Sequence, residues 1–360
     1  MIRAEPHIAV MSPYAVARFD RPEGKPLLSL SQNESLRPPS PRALDAAAAV
    51  LASGALYPDP DWCALRAALA EHHRLEAGQI LCGNGSLELI GVLARVFSGP
   101  GRAVLAPRHA YPFFRTAAGL AGARFDTAEE RDATVCVDCL LEAVRAETAL
   151  VFVANPGNPT GTRIPLAEIR RLRAGLRPDI LLVVDEAYGE FTEEAGARAF
   201  DMVAAGDTVV LRTFSKAYGM AGFRVGWGLF PLALAAEMRK AMNPNNVAAA
   251  SQAAAVAALA DEAYMRETCA RTADLRERGA AALREAGFSV APSHTNFLLI
   301  DMESPEAAQA ADAALRAEGV FLRMQAGASL PGCLRMTIAP WEAIAQAIAL
   351  LETWKRNRGR

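Results

Sequence analysis

The sequence predicts an α/β protein with a mostly parallel central sheet sandwiched by helices and a smaller α/β domain beside it. Three observations predict this. Residues 103–106, 149–153, 180–184, 208–211 and 225–230 are short apolar runs alternating with helix-like segments, as in repeated βαβ units. The first four runs are each followed by a cluster of polar or turn-forming residues, and open α/β sheets bind ligands beyond the carboxyl ends of their strands. Past residue 286 the runs become shorter, marking a second unit.

In chain order, the opening segment to about residue 35 is rich in proline and turn formers and reads as an arm leading into the small domain. After the five runs, residues 247–260 form an alanine-rich helix and 261–286 a longer charged one. Val290, 296–300, 320–323 and 333–338 are the expected strands of the second unit. The division expected is 1–45 for the arm and lead-in, 46–245 for the large cofactor-binding domain and 246–360 for the small C-terminal domain.

Composition narrows the partners. A chain of 360 residues, 52% hydrophobic and 22% charged, is globular and long enough for two packed domains. A net charge of -2 gives no electrostatic reason to expect nucleic acid or an anionic membrane surface. No stretch approaches the roughly 18 apolar residues of a transmembrane helix, and the first residues lack the apolar run of a signal peptide, so a cytoplasmic location is expected. Six cysteines are scattered, and Cys136-Val137-Asp138-Cys139 is the one CxxC. With no second pair to complete a zinc site and no strand-to-helix context for redox work, reduced thiols and no metal are expected.

The chemistry is concentrated around Lys216, in the run Thr213-Phe214-Ser215-Lys216-Ala217-Tyr218-Gly219-Met220-Ala221-Gly222-Phe223-Arg224-Val225-Gly226. An amine flanked by hydroxyls, with an arginine eight residues on, suits pyridoxal phosphate: the amine meets an aldehyde while hydroxyls and guanidinium hold a phosphate. Gly83-Asn84-Gly85-Ser86-Leu87-Glu88 is a glycine turn feeding a helix, which aims free amides at an anion or simply punctuates the chain. Asp185 ends an apolar run and reads either as a helix N-cap or as the partner of a cationic ring nitrogen. Tyr188 and Asn158, the latter in Asn-Pro-Thr-Gly, read as contacts to a phenolic oxygen, or as a core tyrosine and a plain turn. Tyr111 is a ring-stacking or a core aromatic. Arg335, inside the apolar run Leu334-Arg335-Met336-Thr337-Ile338, costs free energy unless an anion pairs with it.

In that order, and together with Ser31-Gln32-Asn33-Glu34, Tyr57-Pro58-Asp59, Asn296-Phe297 and Gly332-Cys333-Leu334-Arg335, these motifs make the chain resemble the fold-type I, pyridoxal-phosphate-dependent class I/II aminotransferases, and most closely the histidinol-phosphate aminotransferases. The resemblance implies that Lys216 forms the Schiff base, Asp185 holds the pyridine nitrogen, and Asn158 with Tyr188 binds the phenolic oxygen. It implies that Tyr111 stacks on the ring. The phosphate would be held at the Gly85-Ser86-Leu87 turn by the amides of Ser86 and Leu87, by Ser215 and by Arg224, with Thr213 nearby. It further implies a homodimer in which Tyr57 reaches the neighbouring subunit's phosphate, and a substrate side formed by Arg335, Arg323, Tyr14 and Asn33.

Substrate-side positions depart from the family pattern. Asn33-Glu34-Ser35-Leu36 stands where Asn-Glu-Asn-Pro is usual, Pro244-Asn245-Asn246-Val247 where Pro-Tyr-Asn-Val is usual, and the arm segment Met11-Ser12-Pro13-Tyr14-Ala15-Val16 is distinct. The leading reading is an aminotransferase moving an amino group from histidinol phosphate, or from an aromatic or other amino acid, to a 2-oxo acid such as 2-oxoglutarate. A second is another reaction on the same scaffold, such as threonine-phosphate-type decarboxylation. A third, a non-catalytic cofactor-binding regulator, would need a DNA-binding domain for which the sequence has neither room nor basic charge.

Overall fold

The computed structural model describes every residue except 1, 15, 17, 18, 21, 193–197, 359 and 360. Ala15 of the arm segment and Met1 therefore lie outside the described residues. The central sheet has seven strands: β1 (Ile80–Gly83), β2 (Ala103–Pro107), β3 (Arg124–Ala128), β4 (Thr148–Ala154), β5 (Leu181–Asp185), β6 (Thr208–Thr213) and β7 (Gly226–Leu229). Their order is β1-β7-β6-β5-β4-β2-β3. Strands β3, β2, β4, β5 and β6 run parallel, and β7 is antiparallel to both β6 and β1.

Helices cover both faces, which is why the inner strands are apolar without alternation. Val104, Leu105, Val151, Phe152, Leu182, Val183, Val209 and Val210 are fully buried. The two strands absent from the sequence reading are β1, only four residues long, and the edge strand β3, whose Arg124 and Asp126 keep it from reading as an apolar run.

The smaller unit is an antiparallel sheet ordered β8-β9-β11-β10, from β8 (Ser289–Val290), β9 (Phe297–Asp301), β10 (Arg323–Gln325) and β11 (Leu330–Thr337). It has its own core around Leu298, Ile300, Leu334, Met336 and Ile344. The lead-in segment joins it, Leu28–Ser29 pairing in parallel with Val320–Phe321. The alanine-rich helix Ala249–Ala260 packs Ala254, Ala255 and Ala258 into the larger core.

One expectation is corrected. Cys136 and Cys139 are not reduced thiols but a disulfide, with Cα atoms 5.2 Å apart, inside the range a disulfide bridges. Cys136 caps the helix Val137–Ala143, accepting the Cys139 amide at 3.2 Å, and this single turn brings the two sulfurs together. Cys63, Cys82, Cys269 and Cys333 are free.

Candidate active site

The sheet topology gathers the site. Asp185 and Thr213 are the last residues of the parallel strands β5 and β6, and Asn158 lies in the loop beyond β4. Because β7 is antiparallel it begins at that edge, and β1, antiparallel to β7, ends there, so Gly226 faces Gly83 and the turn at Gly85 meets the segment carrying Lys216 and Arg224.

Lys216 Nζ donates to the Asn33 carbonyl at 3.0 Å and lies 3.4 Å from that of Gln32. Burial, reinforced by the Arg335 and Arg224 guanidinium groups, lowers its pKa to about 7. A near-neutral amine is what nucleophilic attack on an aldehyde requires. Asp185 is buried, one carboxylate oxygen accepting the Ala187 amide at 3.2 Å. Burial raises its pKa to about 7, with Arg212 opposing the rise, so the site disfavours an unpaired negative charge there and favours a cationic partner. Arg212, itself 1% exposed, bonds Glu186 at 2.8 Å and Glu190 at 2.7 Å next to Asp185 in the fold.

The anion cradle is defined by close approach. Arg224 adopts a left-handed conformation, φ 53°, and its guanidinium bonds the Ala221 carbonyl at 2.9 Å and reaches Ser215 Oγ at 3.4 Å. A β-carbon on Gly85 would sit 2.5 Å from Arg224 Nη2, and one on Gly226 would sit 2.4 Å from the Ser86 amide nitrogen. At Gly226 the clash is with backbone and admits no side chain; at Gly85 a side chain would displace the Arg224 guanidinium and strain a backbone at φ 73°. Thr213 Oγ1 accepts the Ser215 amide at 3.1 Å and donates to Ser215 Oγ at 3.0 Å, fixing that hydroxyl.

Opposite the cradle, Arg335 is 9% exposed; its Nη1 donates to Asn158 Oδ1 at 2.6 Å and its Nη2 to the Ser31 carbonyl at 2.9 Å. Its buried Nε has no acceptor among the described residues. Arg323 lies across from it in the β10–β11 register. Asn33 Nδ2 donates to the Tyr188 hydroxyl at 2.8 Å, which leaves the Tyr188 proton free to be donated; burial raises the Tyr188 pKa to about 12 and keeps it protonated.

Tyr111 stands edge-on to Phe114 at 5.8 Å, and Tyr14 closes on Phe113 at 6.1 Å, so the arm reaches the mouth of the site. Tyr57 is not brought in by its own chain: it is 88% exposed. Two contributors were named in the motifs but given no role by the sequence, the Ser31 carbonyl and the Asn296 amide, which holds the Asn33 and Glu34 carbonyls at 3.1 and 3.0 Å. The signal for Asn296 was a buried polar residue at a strand start.

Fold and site together define a cofactor-dependent enzyme that handles amines on an α/β scaffold. The family model for class I and II aminotransferases matches residues 25–349. The histidinol-phosphate aminotransferase of Rhodospirillum rubrum is 40% identical over 99% of this chain and 97% of its own length, and that of Paramagnetospirillum magneticum 42% identical over 91% of each. Among solved structures, histidinol-phosphate aminotransferase from Sinorhizobium meliloti in complex with pyridoxal-5'-phosphate superposes with a TM-score of 0.93 at 30% identity, covering 99% of this chain and 98% of that one. The chain belongs to the class I and II aminotransferases. The cofactor of that family, pyridoxal phosphate, fits the residues present: a depressed lysine amine, a buried carboxylate wanting a cation, and a glycine cradle closed in by the Ser86 amide and the Arg224 guanidinium.

Proposed function

We propose that the protein transfers an amino group from histidinol phosphate to a 2-oxo acid such as 2-oxoglutarate, as a cytoplasmic homodimer built from an arm, a large domain that takes in the helix Ala249–Ala260 rather than ending near residue 245, and a small domain beyond it. The observation that carries the reading is the buried Arg335 guanidinium acting on the Lys216 amine, with an orphaned Nε and with Arg323 across from it in the β10–β11 register. An amine-handling centre beside a fixed, buried arginine with an unpartnered Nε suits a donor that ends in an anion such as phosphate. Both curated relatives named above carry the same activity in their names.

Pyridoxal phosphate supplies an aldehyde that condenses with amines and a cationic ring that absorbs charge from the donor's α-carbon. The protein does the rest. Ser86, Leu87, Ser215 and Arg224 hold the phosphate, Thr213 orients Ser215, and Tyr111 covers the ring. Asp185 pairs with the ring nitrogen, which keeps that nitrogen protonated. Asn158, its carbonyl oxygen taken by Arg335, offers its amide to the phenolic oxygen beside the Tyr188 hydroxyl. Lys216 Nζ, its pKa lowered to about 7 so that a large share is neutral at that pH, takes the proton from the donor's α-carbon and returns it on the far side of the transfer. Exposure of Leu51, Leu56 and Tyr57 at 67%, 73% and 88% supports a partner subunit covering that loop and receiving Tyr57.

The test is the absorbance of the loaded protein during titration with histidinol phosphate, phenylalanine, tyrosine and glutamate. Conversion to the pyridoxamine form by histidinol phosphate, and by glutamate through the reverse of the acceptor half-reaction, but not by phenylalanine or tyrosine, is the expected result; conversion by the aromatic amino acids instead of histidinol phosphate would overturn the donor, and release of carbon dioxide would overturn the reaction type. On the same reading, Arg335→Gln lowers kcat/KM for histidinol phosphate by about 10–100-fold, the worth of a charged hydrogen-bonded contact. Cofactor affinity, measured separately, falls much less.

A further inference from the structure

Three side chains with no part in the chemistry above form one connected path behind the phosphate turn. Glu88 is the third residue of the helix Ser86–Phe97. Its Oε2 accepts the Asn84 amide at 2.6 Å and Asn246 Nδ2 at 2.7 Å. Asn246 Nδ2 also reaches the Cys82 carbonyl at 3.3 Å, and its Oδ1 accepts Trp62 Nε1 at 3.0 Å. Trp62 is 3% exposed and anchors the path in the core. A β-carbon on Gly83 would lie 3.2 Å from Glu88 Oε2, so the strand narrows to glycine where the carboxylate approaches. At the far end, the Asn84 carbonyl lies 3.4 Å from Arg224 Nη2.

A carboxylate is an informative choice here. In the first turn of a helix it competes with a bound anion for the same positive end, so on charge alone Glu88 would weaken phosphate binding. A capping-box glutamate reaches back to the amide of the N-cap residue. The N-cap here is Gly85, yet Glu88 takes the amide one residue earlier. The amides of Ser86 and Leu87 are left with no acceptor among the described residues.

We propose that Glu88, braced by Asn246 and Trp62, is a positioning residue that fixes Asn84 so that the free amides and the Arg224 guanidinium converge on one phosphate. This rests on the pyridoxal phosphate reading and deepens it. Steric fit and simple electrostatics predict opposite signs for its removal: loss of a fixed turn weakens phosphate binding, whereas loss of a nearby negative charge strengthens it.

The experiment is an absorbance titration of the cofactor-free protein with pyridoxal phosphate and with pyridoxal, which keeps the aldehyde and ring but lacks the phosphate. For Glu88→Ala the Kd of pyridoxal phosphate rises about tenfold or more, the scale of a charge-assisted hydrogen bond, while that of pyridoxal is nearly unchanged. Asn246→Ala moves the same way, and the double variant costs less than the sum. Should Glu88→Ala fail to fold, the isosteric Glu88→Gln carries the test, with the same phosphate-selective loss at smaller size. Unchanged or tighter binding of pyridoxal phosphate, or an equal loss for both compounds, would overturn the proposal. If the unaltered protein bound neither compound, the cofactor reading beneath it would fall instead.

Discussion

Lys216→Ala lowers the rate of amino transfer by about 10⁴-fold while leaving the fold intact. The size follows from two roles lost together, the nucleophile that captures the aldehyde and the base that moves the α-proton. The fold survives because the Lys216 hydrogen bonds among the described residues go to the backbone carbonyls of Gln32 and Asn33, and the Asn33 carbonyl keeps a second donor in Asn296 Nδ2. Thermal unfolding and the stopped half-reaction with donor check the two parts separately; turnover near the unaltered rate would remove Lys216 from the chemistry. The same amine sets a pH dependence. Its pKa is lowered from the ordinary lysine value to about 7 by burial and by Arg335 and Arg224, so aldehyde capture by the cofactor-free protein rises as pH increases through 7 and levels off above it. Replacing Arg335 by Gln withdraws one cation and moves that midpoint upward.

The fold was legible in the sequence because the inner strands are buried on both faces, and continuous apolar runs such as 149–153 and 208–211 need no partner to be recognised. Strand β3 escaped because it lies at the sheet edge with half its side chains toward water, and β1 because four residues carry little periodicity. Several candidate site residues could be placed because parallel strands deliver whatever follows them to one edge. Contacts spanning the chain could not. The Arg335 bond to the Ser31 carbonyl joins residues 304 apart, and Glu88 meets Asn246 across 158. The pairing of Arg212 with Glu186 and Glu190 is similarly a product of folding: three charges in an apolar strand and the turn beyond β5 become tolerable only when packed together. The cysteine pair was misread because spacing was weighed against metal sites, while the deciding fact was local, a helix start that places both thiols on one turn.

Asp185→Asn is expected to act with opposite signs in the empty and the loaded protein. In the cofactor-free protein the Asp185 pKa is raised to about 7, from an ordinary value of 3.8, chiefly by burial. The folded state therefore holds this proton more tightly than the unfolded chain does. Between pH 4 and 7 the folded state binds more protons at this site, so its contribution to stability falls as pH rises through that window, and the full cost is present above 7. Asparagine has no such charge to bury. The variant is accordingly more stable than the parent at pH 8, by a few kcal/mol at about 1.4 kcal/mol per pKa unit, and indistinguishable from it below pH 4. Loading reverses the order, because the carboxylate gains the cationic ring nitrogen that its burial demands, and asparagine cannot supply the charge. Cofactor affinity of the variant falls on the order of 10²–10³-fold, the scale of breaking a buried ion pair. Unfolding curves at pH 4 and pH 8, with and without pyridoxal phosphate, read both signs in one series. A variant that loses stability in the empty protein at pH 8 would mean that Asp185 is held for its local bond to Ala187 and not for a ligand's charge.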